Sequence, residues 1–242
     1  IIYMVQLLCF KFIVVWGVDI MNNEATLEST NSISIRKVLY ISIKRLFDIV
    51  LSLIGCLCLL PVALIVKISY ILNKDYASIF FSQERIGKNG KTFKFYKFRS
   101  MVVNADKVLE ELLKNDKDAR KEYKLNKKLK NDPRITKMGK ILRRTSLDEL
   151  PQFINVLRGD MSLIGNRPYL PREKEDMGTY YDTIVKTKPG LTGYWQVNGR
   201  SNTTFEERLK LEEYYSSHAG LKMDIKILFK TVYVVLFHKG AE

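Results

Sequence analysis

An α+β fold, mainly helical, held at a membrane and carrying one small β-hairpin, is predicted by three observations. Ile49 to Val66 is an uncharged run of 18 residues, close to the ~20 that span a bilayer. Asn89-Gly90 lies between the β-rich stretches 78–87 and 92–99, and Asn-Gly in that setting is a strong hairpin signal. Apolar residues recur at helical spacing in several segments downstream.

Taken in order, residues 1–20 are mostly apolar but interrupted by Gln6, Lys11 and Asp19. They read either as an extra N-terminal anchor or leader, or as a mis-called start ahead of Met21. Residues 21–43 read as a polar, amphipathic leader. The segment 44–67 holds the uncharged run, with Lys44 and Arg45 before it and Lys67 after it. A single spanning helix normally has its basic residues on one side, and Pro61 removes a backbone donor inside the run. A re-entrant helix, broken near Leu60 and returning to the same face, accounts for both features. A kinked spanning helix is the alternative. The remaining 68–242 read as one domain with no flexible linker.

Within that domain, Ala105, Val108, Leu109, Leu112 and Leu113 share a helical face, and residues 115–130 continue as a Lys-rich helix or loop. Asp148–Leu157 reads as a helix stopped by Gly159. Phe205–His218 reads as another, with a Thr204-x-x-Glu207 capping box. Leu221–Phe237 is amphipathic and then nearly all apolar.

Composition narrows the chemistry. The chain has 242 residues, 40 Lys+Arg and 26 Asp+Glu, for a net charge of +14. From Glu84 to Thr145 stand 20 Lys or Arg against 8 Asp or Glu, so most of the surplus lies there. Such a region suits anionic headgroups or phosphates. The three cysteines, Cys9, Cys56 and Cys58, sit in apolar runs and make no disulfide scaffold. Two histidines, His218 and His238, exclude a multi-His metal centre. There is no phosphate-cradling Gly-rich loop, no zinc spacing and no nucleic-acid module.

The central candidate is Ser146-Leu147-Asp148-Glu149-Leu150-Pro151. Ser146-x-x-Glu149 matches a capping box, and ordinary capping is the plain alternative. Pro151 fits better with Asp148 as the N-cap, because the third helical residue has no intrahelical partner for its N–H. That places two carboxylates at the positive end of a helix beside Arg143 and Arg144, surroundings expected to keep Asp148 ionised. Lys97, Arg99, Arg134, Arg167 and Arg200 stand on or near turns, where Arg can fork onto phosphate oxygens.

Together these segments resemble the bacterial sugar transferases, the monotopic phosphoglycosyl transferases. The matching pieces are KRLFDIVLS (44–52), FFSQERIGKNGKTFKFYKFRSM (80–101), DPRITKMGKILRRTSLDELPQFINVLRGDMSLIGNRP (132–168), KPGLTGYWQVNGRS (188–201) and DIKIL (224–228). Leu60 stands where the family usually has Ser before the helix-breaking Pro, and Asn166 where it usually has Pro. The resemblance implies a monotopic, membrane-anchored catalytic domain on the cytoplasmic face of the bacterial plasma membrane, its re-entrant helix broken at Pro61. It implies transfer of a sugar-1-phosphate from a UDP-sugar donor to a polyprenyl phosphate acceptor, with Asp148 as nucleophile and Glu149 holding Mg²⁺. Arg143, Arg167 and Arg200 fall on the family's basic positions, and Lys97 and Arg99 on the hairpin are further expected phosphate ligands. The expected surroundings are an anionic membrane and no nucleic acid, with a homodimer compatible with family precedent. Longer members carry further segments ahead of this core. The chain is therefore expected to be a core-only form or one with a single extra anchor at 1–20.

Overall fold

The structure, a computed structural model, describes residues 30–126, 129–199 and 203–236. The N-terminal segment 1–20 and Arg200 lie outside the described residues. The first element is a 43-residue helix, α1 (Thr30–Leu72), with Pro61 inside it. It takes in residues 30–43 of the expected leader. The expected break near Leu60 is not seen, because helical conformation continues on both sides of the proline. Pro61 forfeits a single backbone bond. Leaving the helix would free several more polar groups on a surface where Leu57 and Leu60 are about 70% exposed. Ile35–Leu72 is long and apolar enough to cross a membrane.

Next come β1 (Phe80–Ile86) and β2 (Thr92–Phe98), paired in a two-stranded sheet. Asn89 (φ 57°) and Gly90 (φ 77°) are both left-handed, the conformation of a tight turn whose twist matches the strands. The Gly87 N–H donates to the Lys91 carbonyl at 2.8 Å. The helices α2 (Ala105–Asn115), α3 (Lys117–Asn126) and α4 (Lys137–Arg144) follow, then a 3-10 turn at Leu147–Glu149 and α5 (Gln152–Arg158).

The rest comprises β3 (Ser162–Ile164), α6 (Lys174–Met177), α7 (Tyr181–Ile184), β4 (Gly190–Thr192), α8 (Tyr194–Asn198), α9 (Phe205–His218) and α10 (Leu221–Leu236). The predicted bounds of α9 hold, and its capping box forms: Thr204 Oγ1 accepts from the Glu207 N–H while the Glu207 side chain accepts from Thr204. β3 and β4 pair in parallel, Ser162 opposite Gly190. This second sheet is unforeseen, since three-residue strands carry no readable alternation.

Where the sequence reads as one domain, the described residues sort into two compact units, 30–60 with 82–96 and 151–236, and 61–81 with 97–150. No linker marks the division, because the chain passes from one to the other inside α1, β1 and β2 and just after the 3-10 turn.

The first unit is built around Ile86, Tyr169, Met177 and Leu209, with further clusters at Phe95, Val156 and Met161 and at Ile164, Tyr215 and Ile227. Polar residues of α1 fasten it to this unit. Lys44 donates to the Ile164 carbonyl at 2.8 Å and pairs with Asp224. Arg45 donates to the carbonyls of Val156 and Leu157 at 2.6 and 2.7 Å, closing the C-terminal end of α5. Asp48 accepts from Ser162 Oγ and the Leu163 N–H. The two basic residues expected to flank a membrane run are thus engaged within the protein.

The second unit has Val66, Tyr70, Phe98 and Leu142 at its centre, with the Phe80 and Phe98 rings stacked at 5.3 Å. The Tyr70 hydroxyl donates to the Arg99 carbonyl at 2.5 Å. The α4 N-cap Thr136 accepts from the Gly139 N–H, and its own N–H donates to the Ser100 carbonyl.

Candidate active site

Four of the predicted residues come together in the second unit. Lys97, at the end of β2, places Nζ 2.8 Å from Glu149 Oε1 and 3.4 Å from Asp148 Oδ2. Expected to face a phosphate, Lys97 is the cation shared by the carboxylate pair. Arg143 in α4 donates from Nε to Ser100 Oγ at 2.9 Å, and its charge acts on Asp148.

The dyad does not start an α-helix. Asp148 and Glu149 lie in the 3-10 turn, and Pro151 is the N-cap of α5. The Asp148 cap expected from the sequence is therefore corrected. Ser146, just ahead, holds φ 55° and ψ 19°, a left-handed conformation that costs a non-glycine residue of order 1 kcal/mol. Asp148 is 8% exposed, whereas the Glu149 side chain is 39% exposed. Burial raises the Asp148 pKa above its usual value, with Glu149 adding to the rise and Lys97 and Arg143 opposing it. The ionised Asp148 expected from a helix end is thus replaced by a carboxylate whose charge depends on Lys97 and Arg143.

Arg99 lies in the same unit but is committed elsewhere. Its guanidinium forks onto Asp75 at 2.9 Å in both bonds and donates from Nε to the Ser78 carbonyl. The bond to Arg99 holds the Asp75 carboxyl below its usual range. Arg99 closes the 75–99 loop, committing three of its five N–H donors to Asp75 and Ser78. Arg134 is likewise paired, with Asp132 at 2.6 Å. Arg167 belongs to the first unit, where its backbone N–H donates to Glu212.

Among the described residues no three His, Cys, Asp or Glu side chains converge. A divalent cation at the dyad would draw on Glu149, the more exposed carboxylate, and on the oxygens of a bound substrate, hard donors of the kind that suit Mg²⁺.

The sequence named the dyad and its cations. It missed the strain at Ser146 and the anchoring by Asp48 and Asp224, which stand in matched segments but meet their partners only in three dimensions.

The family described as Bacterial sugar transferase matches residues 39–238. The undecaprenyl-phosphate galactose phosphotransferase of Salmonella typhimurium is 46% identical over 199 residues, 82% of this chain and 41% of that protein. The exopolysaccharide production protein ExoY of Sinorhizobium fredii is 39% identical over 198 residues, 82% of this chain and 87% of its own. The UDP-glucose:undecaprenyl-phosphate glucose-1-phosphate transferase of Escherichia coli is 39% identical over 208 residues, covering 41% of that protein. The chain spans about two fifths of the length of the first and last of these. With that match over most of its length, and with the aspartate–glutamate pair set in the matched region, the chain belongs to the bacterial sugar transferase family.

Proposed function

We propose that the protein transfers a sugar-1-phosphate from a UDP-sugar to a polyprenyl phosphate such as undecaprenyl phosphate, releasing UMP. The observation that carries this reading is the buried Asp148, paired with Lys97 beside the more exposed Glu149. The activities for which the related undecaprenyl-phosphate transferases of Salmonella typhimurium and Escherichia coli are named support it.

In the first step an Asp148 carboxylate oxygen attacks the sugar-bearing phosphorus, and the bond to UMP breaks with its electron pair leaving on UMP. In the second, an oxygen of the polyprenyl phosphate attacks the same phosphorus and displaces Asp148. Like-charge repulsion opposes both steps, so cations must already be in place. Lys97 and Arg143 supply two. Glu149 would hold Mg²⁺, which when bound neutralises diphosphate oxygens. A covalent intermediate lets a soluble donor and a lipid acceptor use one small site in turn.

The apolar surface of α1 supports siting this chemistry at a membrane. We assign it a re-entrant course on the cytoplasmic face of the bacterial plasma membrane, which requires α1, continuous here, to bend at Pro61 within the bilayer. This rests on the uncharged run 49–66, with Lys44 and Arg45 before it and Lys67 after it, and on Pro61 inside it. Labelling that put Lys44 and Lys67 on opposite membrane faces would replace this with a spanning helix.

The test of the reaction is UMP release from a panel of UDP-sugars with undecaprenyl phosphate, with and without EDTA. Release is expected to require lipid and metal, and Asp148→Asn, still folded, should lose at least 10³-fold in turnover (roughly the scale for removing a nucleophile). Full turnover in that variant refutes the nucleophile assignment. No release from any donor by the folded protein refutes the transferase reading and leaves a non-catalytic scaffold.

A further inference from the structure

The first unit holds a second concentration of charge apart from the dyad's residues. Arg167 and Arg208 lie over the same indole, with Cζ 5.8 and 4.3 Å from the Trp195 ring. Neither guanidinium has a hydrogen-bonded protein acceptor among the described residues, and the Nε of each is buried without a partner. Arg85 is beside them, donating to the Pro168 carbonyl at 3.1 Å and to Gln83 at 2.9 Å, its Nε also unpartnered. The Tyr169 hydroxyl, on a residue only 2% exposed, has no partner either.

These groups feel one another. Burial and the Arg167 charge push the Arg85 pKa down to about 10, and the same two causes lower that of Arg208. The nearby acids are poor counter-charges. Glu212 is buried, already accepts the Arg167 N–H, and has its pKa pushed up to about 8 by that burial. Glu173 accepts the Leu170 N–H at 2.6 Å. Arg208 also stands in the first turn of α9, where the helix dipole disfavours a cation.

Buried donors without acceptors are uncommon in folded proteins, and each calls for an explanation. Here the unpartnered donors are three guanidinium Nε atoms and one hydroxyl, with Arg167 and Arg208 over one aromatic ring, and the amide oxygen of Asn166 is unpartnered as well. Arg167 and Tyr169 also line a small recess with Ile86, Gly87, Asn166 and Met177. The chemistry complementary to this set is a multivalent oxyanion, because guanidinium forks match phosphate oxygens and a neutral hydroxyl can add a further bond. Burial, then the Glu212 carboxylate, raise the Tyr169 pKa, so its hydroxyl keeps the proton to donate.

We propose that Arg167, Arg208 and the Tyr169 hydroxyl, with Arg85 behind them, form an oxyanion site that binds a phosphate or diphosphate group. Arg167 alone was expected to meet a phosphate; Arg208, Tyr169 and Arg85 are assigned here. The site does not depend on the transferase reading, since it concerns binding alone.

Trp195 provides the readout. In the full chain carrying Trp16→Phe, it is the sole tryptophan, and an anion drawing Arg208 away should alter its fluorescence. Titration uses inorganic pyrophosphate, UMP and a short-chain polyprenyl phosphate in turn, with Asp148→Asn present so that no turnover intrudes. Saturable binding of at least one probe is expected. Arg208→Gln should weaken it about tenfold or more. Tyr169→Phe, which removes a hydroxyl with no protein partner and so spares the fold, should weaken it severalfold. Arg172→Gln, an exposed neighbouring charge, should leave it unchanged. Preference for UMP assigns the site to a nucleotide phosphate, preference for the lipid to the acceptor, and equal binding of all three to the oxyanion itself; each supports the proposal. No saturable response to any probe overturns it. So does unaltered affinity in Arg208→Gln and Tyr169→Phe, or an equal loss in Arg172→Gln, which would mean diffuse surface charge.

Discussion

Replacing Lys97 by Met would leave Asp148 with burial and Glu149 raising its pKa and Arg143 as its named opposing charge. A nucleophilic carboxylate must be ionised, and activity is lost as pH falls through its folded pKa. The acid limb of the pH–rate profile in Lys97→Met should therefore move to higher pH, through loss of a neighbouring positive charge. A limb that stays in place would separate Lys97 from the ionisation of Asp148. Ser146 supports the same turn from the backbone. Ser146→Gly should hold or raise stability in chemical denaturation, whereas Ser146→Val should lose more than about 1 kcal/mol, since a β-branched residue tolerates positive φ poorly. At this scale residue types were legible in the sequence and partners were not. Arg99 and Arg167 both read as Arg on a turn, and nothing local shows that Asp75 occupies one while the other lies over an indole. Burial of Asp148 was invisible too, because the capping pattern around it fits an exposed helix end equally well.

Among the elements, α9 and α10 were readable because their apolar spacing and the Thr204 box are local signals. The Asn89-Gly90 turn was readable for the same reason. The β3–β4 pair was not, because it joins segments nearly thirty residues apart and each strand is too short to show alternation. Helix α1 misled in one respect: Pro61 announces a break, yet a single missing donor leaves the helix continuous. Its fit to the first unit is tight at Gly55, where an added Cβ would stand 2.5 Å from the Phe153 ring. Gly55→Ala should destabilise the protein by about 1–3 kcal/mol, the usual cost of overpacking, measured as a lower midpoint of thermal unfolding in detergent. An unchanged midpoint would mean that α1 and Phe153 part without cost.

For the molecule as a whole, pH dependence of stability follows from Glu212. Its folded pKa, about 8, exceeds the ordinary 4.5. Between those values the unfolded chain has released the proton while the folded protein keeps it, so stability falls as pH rises through that window and levels off beyond it. Glu212→Gln should flatten this fall when denaturant midpoints are compared from pH 5 to 8. A slope that persists would place the titration elsewhere. The division into two units has a bearing on how the protein can be rearranged. Each passage of the chain between them falls within or beside a continuous element, leaving no hinge segment at which to cut. A graft that exchanged 97–150 with a relative's would have to sever a strand at one end and part a helical turn from its helix at the other. The dyad is thus inherited with its surroundings as a block, and new donor preferences are better sought by substitutions within the scaffold than by shuffling its parts.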